Sequence, residues 1–182
     1  MNLGENLSLG FTDNLNCNEG GDYGMHRSSI YHFECRDANG NLKWEETRNN
    51  IVMTEGLNDS LDKHFKGSSY TATWFVGLTG ASPTFVAGDT AASRGFTENT
   101  SYSEATRQTL TLGSVSAGSV SNTASKAVFT ASASTTWGGA FVISNSTKGG
   151  TTGVLYGAAA LSTNRSVTTG DTLTITVTLT AS

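Results

Sequence analysis

Residues 172–180 read TLTITVTLT. Leu173, Ile175, Val177 and Leu179 alternate with Thr172, Thr174, Thr176, Thr178 and Thr180. A period of two places the aliphatic side chains on one face of a strand and the threonines on the other. Threonine keeps β-propensity high on a wet face without adding charge. One face therefore meets a core and the other meets water, the habit of antiparallel sheets. Working back along the chain, Thr169-Gly170-Asp171, Lys148-Gly149-Gly150, Gly138-Gly139, Ser121-Asn122 and Gly113 read as turns. Between them lie short strand-like segments at 154–160, 140–144, 127–131, 114–120 and 109–112. This spacing predicts a mainly β chain, an antiparallel β-sandwich of jelly-roll type.

Nearer the start, residues 30–36 alternate Ile30, His32 and Glu34 against Tyr31, Phe33 and Cys35. Asp37-Ala38-Asn39-Gly40-Asn41 is a turn, because Asn-Gly tolerates the positive φ of a tight hairpin. Residues 42–47 return, so 30–47 is expected to be a hairpin. One short helix is predicted near 54–66. Thr54 is its expected cap, Glu55 lies in its first turn, and Gly67 stops it. Leu57, Leu61, His64 and Phe65 share one helical face, and Lys63 and Lys66 suit the C-terminal dipole. A strand follows over 70–78. Residues 1–28, rich in Asn and Gly, read as an extended N-terminal arm. The domain reading is an arm plus hairpin over 1–47 and a sandwich with its helix over 48–182.

Only 14% of the residues are charged and the net charge is −4. Without a basic stripe, nucleic-acid binding is disfavoured. No apolar run approaches the roughly 20 residues of a membrane span. The first residues, MNLGE, show neither a basic n-region nor an apolar h-region, so the chain is expected to be made and folded in a cytoplasm. Eleven of the fifteen acids lie at or before Asp62, and Ser, Thr, Ala and Gly dominate after residue 68.

Cys17, His26, His32 and Cys35 share a short window, but their spacing matches no common zinc module, and neither a metal nor a Cys17–Cys35 disulfide is expected. Asp13, Asn14, Asn16, Asn18, Glu19 and Asp22 do not follow the EF-hand order. Gly88-Asp89-Thr90 and Gly170-Asp171-Thr172 repeat a tripeptide whose acid suits a turn, bonding nearby backbone N–H groups. No histidine or cysteine follows Gly67, no G-x-S-x-G elbow occurs, and no phosphate-cradling glycine loop is present. No catalytic residue, metal or cofactor is expected. Residues 79–107 form a long loop with the single proline, Pro83, and long loops are often functional. Its Phe85, Val86, Arg94, Phe96, Tyr102 and Arg107 are candidate partner contacts; the other reading is that its aromatics cap the open end of their own sandwich.

Seven segments together resemble one known pattern. They are NIVMTEGLNDSLDKHFKGSS (50–69), WFVGLT (74–79), GDTAASRGFTENTSYSEATR (88–107), SVSNTASKAVF (119–129), GGAFVIS (138–144), KGGTTGVLY (148–156) and GDTLTITV (170–177). The set, spanning roughly 48–182, is similar to small virion structural proteins of tailed bacteriophages. What the resemblance implies is a virion component made in the host cytoplasm. A capsid decoration or cement protein is the expected role, a dimer or trimer bound to the major capsid protein and to sister copies. The other expectation is a tail, baseplate or fibre subunit, in which Trp44, Trp74, Trp137, Tyr23, Tyr31 or Tyr102 could stack on a host glycan.

Overall fold

The computed structural model describes residues 26–69 and 73–181. Among them are eleven strands and one helix: β1 (Arg27–Arg36), β2 (Leu42–Asn49), β3 (Ile51–Val52), α1 (Thr54–Phe65), β4 (Phe75–Thr79), β5 (Glu98–Asn99), β6 (Gln108–Thr109), β7 (Ser119–Ser121), β8 (Ala127–Thr130), β9 (Thr135–Ile143), β10 (Leu155–Val167) and β11 (Thr172–Ala181). Two antiparallel sheets face each other. The first runs β2-β1-β11-β7, with β8 also on β11; the second runs β3-β10-β9-β4-β5, with β6 also on β4. The chain is an antiparallel β-sandwich. β4, which precedes β7, β8 and β9 in sequence, lies beside β9.

β11 behaves as its alternation dictates. Leu173, Ile175 and Val177 are fully buried, while the threonines between them are only partly covered. β1 pairs with β11 in the same phase, Phe33 opposite Ile175 and Glu34 opposite Thr174. Tyr31, Phe33 and Cys35 therefore enter the core beside the β11 aliphatics. The β1–β2 turn forms as expected: Gly40 has φ +86°, and Asp37 Oδ1 accepts from the N–H groups of Asn39 and Asn41 at 2.9 Å each. The hairpin lies within the first sheet, where β1 is an inner strand between β2 and β11. The expected arm over 1–28 lies almost wholly outside the described residues, but Arg27 and Ser28 already pair with Ala181 and Thr180.

The second sheet differs in kind. Along β9, Ala140 and Val142 point into the principal core, while Phe141 and Ile143 join a second buried cluster with Met53, Ala91, Phe96, Leu155 and Ala158. Both faces of this sheet are dry. The runs FVGL (75–78) and AFVI (140–143) are continuously apolar, the pattern of a strand covered on both sides. Helix α1 and the 79–107 segment supply the cover. Gly138-Gly139, expected to be a turn, instead lies inside β9. There a Cβ on Gly138 would sit 2.2 Å from Gly80 O, and one on Gly139 2.3 Å from Ala159 O. Glycine here marks close backbone approach rather than a bend.

The turn into β11 is organised by Asp171. Its carboxylate accepts from Thr168 N at 2.8 Å and bonds the Lys43 ammonium. Burial pushes the Asp171 carboxyl up, but Lys43 and the Thr168 N–H together hold it below the usual carboxylate range. A depressed folded value means that the stabilisation is present above the unfolded value of about 3.9 and fades as pH falls through the lower folded value. Asp171→Asn is therefore expected to destabilise the protein clearly at pH 7 and much less at pH 2. Urea unfolding of both proteins at the two pH values checks this; an equal loss at both would remove the carboxylate from the account.

Candidate functional site

Five of the six side chains expected to dock a partner turn inward. Phe96 stacks on Phe141 with centroids 5.1 Å apart, and Phe85 packs edge-on to Phe96 at 5.2 Å. Tyr102 is buried edge-on to Phe129 at 5.0 Å, and burial pushes its hydroxyl pKa up. Arg107 is buried, and Arg94 nearly so. Only Val86, 53% exposed, presents itself to solvent. Phe85, Arg94, Phe96 and Arg107 cover the outer face of the second sheet around Phe141 as a roof, whereas Tyr102 packs into the principal core between the sheets.

The roof is pinned by an ionic knot. Glu98 receives Arg107 Nε at 2.9 Å and Nη2 at 2.6 Å, a bidentate pair. Arg107 also donates to the carbonyls of Asn145 at 2.8 Å and Gly150 at 2.7 Å. Arg94 Nη1 stands 3.7 Å from the same carboxylate. Both guanidiniums lie over the Phe141 ring, at 5.6 Å and 5.3 Å. Asp89 fastens the other end of the loop, accepting from Val86 N and Gly95 N at 3.1 Å each. Both Gly-Asp-Thr acids thus serve their own turns. The arrangement closes a loop onto a sheet, and leaves Arg94 Nη1 and the Tyr102 hydroxyl buried without a hydrogen-bond partner.

Helix α1 carries the exposed surface. Thr54 is its first residue rather than its cap; Met53 holds the N-cap position with no side-chain bond, and Thr54 N donates to Ala87 O at 2.8 Å. Glu55 binds inward, accepting from Ala91 N at 3.0 Å and Leu155 N at 2.7 Å. Buried Gly56 lets the helix touch β10 so closely that a Cβ would lie 2.7 Å from Tyr156 Cα. These tethers fix the rotation of the helix. The shared face of Leu57, Leu61 and Phe65 points outward: Leu57 is 37% exposed, Leu61 53% and Phe65 68%. Beside Leu61 lies a shallow hollow bordered by Glu55, Asn58, Asp62, Lys66 and Val154.

Of the aromatics considered for glycan stacking, Tyr31, Tyr102 and Trp137 are buried, Trp44 lies under the Arg165 guanidinium at 5.1 Å, and Tyr23 falls outside the described residues. Trp74 alone lines an open groove of about 660 Å³, with Tyr156, Leu112, Val120, Leu179, Arg27 and Asp59.

His32 Nδ1 is 3.1 Å from Thr47 Oγ1, and His64 packs edge-on to Phe65. Cys35 is buried, and burial pushes its thiol up to about 11, so no thiolate forms at neutral pH. His32 and Cys35 lie on opposite faces of β1, which separates two of the four residues weighed for zinc; Cys17 and the Asn-rich 13–22 stretch lie outside the described residues. Among the described residues no cluster of three or more His, Cys, Asp or Glu could hold a metal ion, and no helix is long and apolar enough to cross a membrane. No protein-family model matches the chain, and no curated protein matches it either.

Proposed function

We propose that this chain is a non-enzymatic structural subunit of a tailed-phage virion, a capsid decoration protein that binds the outer head surface together with the major capsid protein and sister copies. The observation that carries a binding role is the outward apolar face of α1, formed by Leu57, Leu61 and Phe65. A surface helix normally buries its apolar stripe, and a contiguous exposed one marks an interaction surface. The virion assignment rests on the motif set across 48–182. The buried knot of Arg94, Glu98 and Arg107, in which Glu98 takes both fork hydrogens of Arg107, suits a rigid scaffold. A subunit that binds the assembled shell and not its dissociated form stabilises that shell by mass action.

The second reading, a tail or fibre subunit, is favoured by Trp74 in its open groove. Copy number separates the two. In purified virions carrying this chain, gel densitometry is expected to give a copy number close to that of the major capsid protein. Tens of copies or fewer would select the tail reading. Complete loss of the chain from particles purified in a density gradient would remove it from the virion.

A further inference from the structure

We infer that the groove beside Trp74 is a binding site for an amphiphilic anion, a single acyl chain ending in a carboxylate. The groove opens at one end of the sandwich. Leu179 near the end of β11 and Val120 of β7 face Val142 near the end of β9, Tyr156 at the start of β10 and Trp74 just before β4, and Leu112 completes the wall. Trp74 and Tyr156 meet edge-on with centroids 5.6 Å apart. Trp74, Leu112 and Leu179 pack against the principal core yet are only partly buried. Apolar surface of the core therefore reaches solvent here, in a hollow of about 660 Å³. That size lies within the roughly 300–1,000 Å³ of small-molecule sites.

The rim decides the headgroup. Arg27 comes to it from the start of β1, and Asp59, Lys63 and His64 from one side of α1. Lys63 stands 3.7 Å from Asp59, beyond hydrogen-bond distance. Burial pushes the Tyr156 hydroxyl pKa up, and the charge and hydrogen bond of Arg27 draw it partly back. The Arg27 guanidinium is thus held by a neutral phenol, and its planar fork suits a carboxylate. Two fixed cations and one acid leave the rim positive. The wall decides the body. A sugar carries hydroxyls all round, and an extended peptide carries an N–H and a carbonyl at every residue. Val120, Val142, Leu112 and Leu179 answer neither, and a polar group buried without a partner costs affinity. An acyl chain brings no polar group below its head.

The test uses the isolated full-length protein, so its failure is separate from that of the virion reading, which copy number decides. Calorimetric titration with decanoate is expected to show saturable one-to-one binding. Decylammonium has the same chain and the opposite headgroup, and it should bind about tenfold more weakly or worse. Octanoate, two methylenes shorter, should bind roughly four- to fifteenfold more weakly than decanoate, since a buried methylene is worth up to about fourfold. Arg27→Gln should weaken decanoate about tenfold with an unchanged melting temperature, and leave decylammonium no weaker. Damage to the fold would weaken both ligands alike. Decanoate should also change the tryptophan fluorescence, and Trp74→Phe should abolish that change. Absence of saturable binding, equal affinity for the two headgroups, decanoate binding indifferent to Arg27→Gln, or a fluorescence response that survives Trp74→Phe overturns the proposal. A neutral oligosaccharide that quenches Trp74 where decanoate does not would give the groove to a glycan instead.

Discussion

Glu98→Gln is expected to lower the melting temperature by about 6–20 °C, more than any other loss of a single charge in the described residues. The carboxylate is the only counter-charge near two buried guanidiniums. It takes both fork hydrogens of Arg107 and also accepts from Gly149 N at 3.1 Å. Arg94 stands 3.7 Å away with Nη1 lacking a hydrogen-bond partner, and burial draws the Arg94 pKa down. Neutralising Glu98 leaves two cations facing each other in a dry site, with an amide N–H set against one of them. Removing one partner of a buried pair costs about 3–5 kcal/mol, and a chain of this size loses roughly 2–4 °C per kcal/mol. Arg107→Met should rank second. It takes the Arg107 hydrogen bonds from the carbonyls of Asn145 and Gly150, but Arg94 Nη2 still donates to Gly150 O at 3.3 Å and Arg94 remains to neutralise Glu98. Arg94→Met removes the surplus cation and keeps the apolar volume, so it should fall within about 1 kcal/mol of the parent, the scale of the cation–π contact it gives up. Thermal denaturation of the three variants checks the order. If Arg94→Met proves as damaging as Glu98→Gln, the site is not organised around the carboxylate.

Legibility followed periodicity. The alternating strands β1 and β11 and the Asp37–Asn41 turn could be read directly, because a half-buried strand writes its two faces into alternate letters. The second sheet hid its meaning in the same letters. FVGL at 75–78 and AFVI at 140–143 are apolar without alternation, and that is the signal of a sheet needing a layer on each face. Read so, they demand a cover, and the aromatic, mixed-charge segment 79–107 supplies it. The pairing of Glu98 with Arg107 across it was beyond reach, since nothing local links two residues of a loop whose path is set by the sheet beneath. The orientation of α1 was hard to read for a different reason. Leu57, Leu61 and Phe65 fall at helical spacing, and spacing reports which residues share a face, not what the face meets. The residue that decided the matter was Gly56. A glycine inside a helix costs about 1 kcal/mol relative to alanine, and its presence between Glu55 and Leu57 was the available sign that the glycine side touches the sheet.

The same argument from close approach gives the largest effect expected from adding a single methyl group. In β9, Gly138→Ala would drive its Cβ to 2.2 Å from Gly80 O and 2.5 Å from Pro83 Cδ, and Gly139→Ala to 2.3 Å from Ala159 O. Both obstacles are backbone. Gly80 N is itself bonded to Thr97 O at 2.8 Å, which ties it to the 79–107 roof, and Ala159 is held in register opposite Ala140. Neither neighbour can swing aside as a side chain would. The strands must separate, which breaks ladder bonds and opens the core where Trp137 and Ala140 pack. Overpacking of a well-packed core typically costs about 1–3 kcal/mol, and a rigid backbone obstacle places these two at or above the upper end. Gly77→Ala should cost less: its Cβ would lie 2.3 Å from Phe141 Cζ, a ring that can tilt, though the guanidiniums above it limit how far. Gly88 supplies the control, because a Cβ there meets nothing within 4 Å. Gly88→Ala should be neutral or stabilise by up to about 1 kcal/mol through the unfolded chain. Urea unfolding ranks the four variants. A Gly138→Ala protein as stable as Gly88→Ala would show that the backbone at Gly80 yields freely, and the rigid junction between β9 and the start of the roof would have to be abandoned.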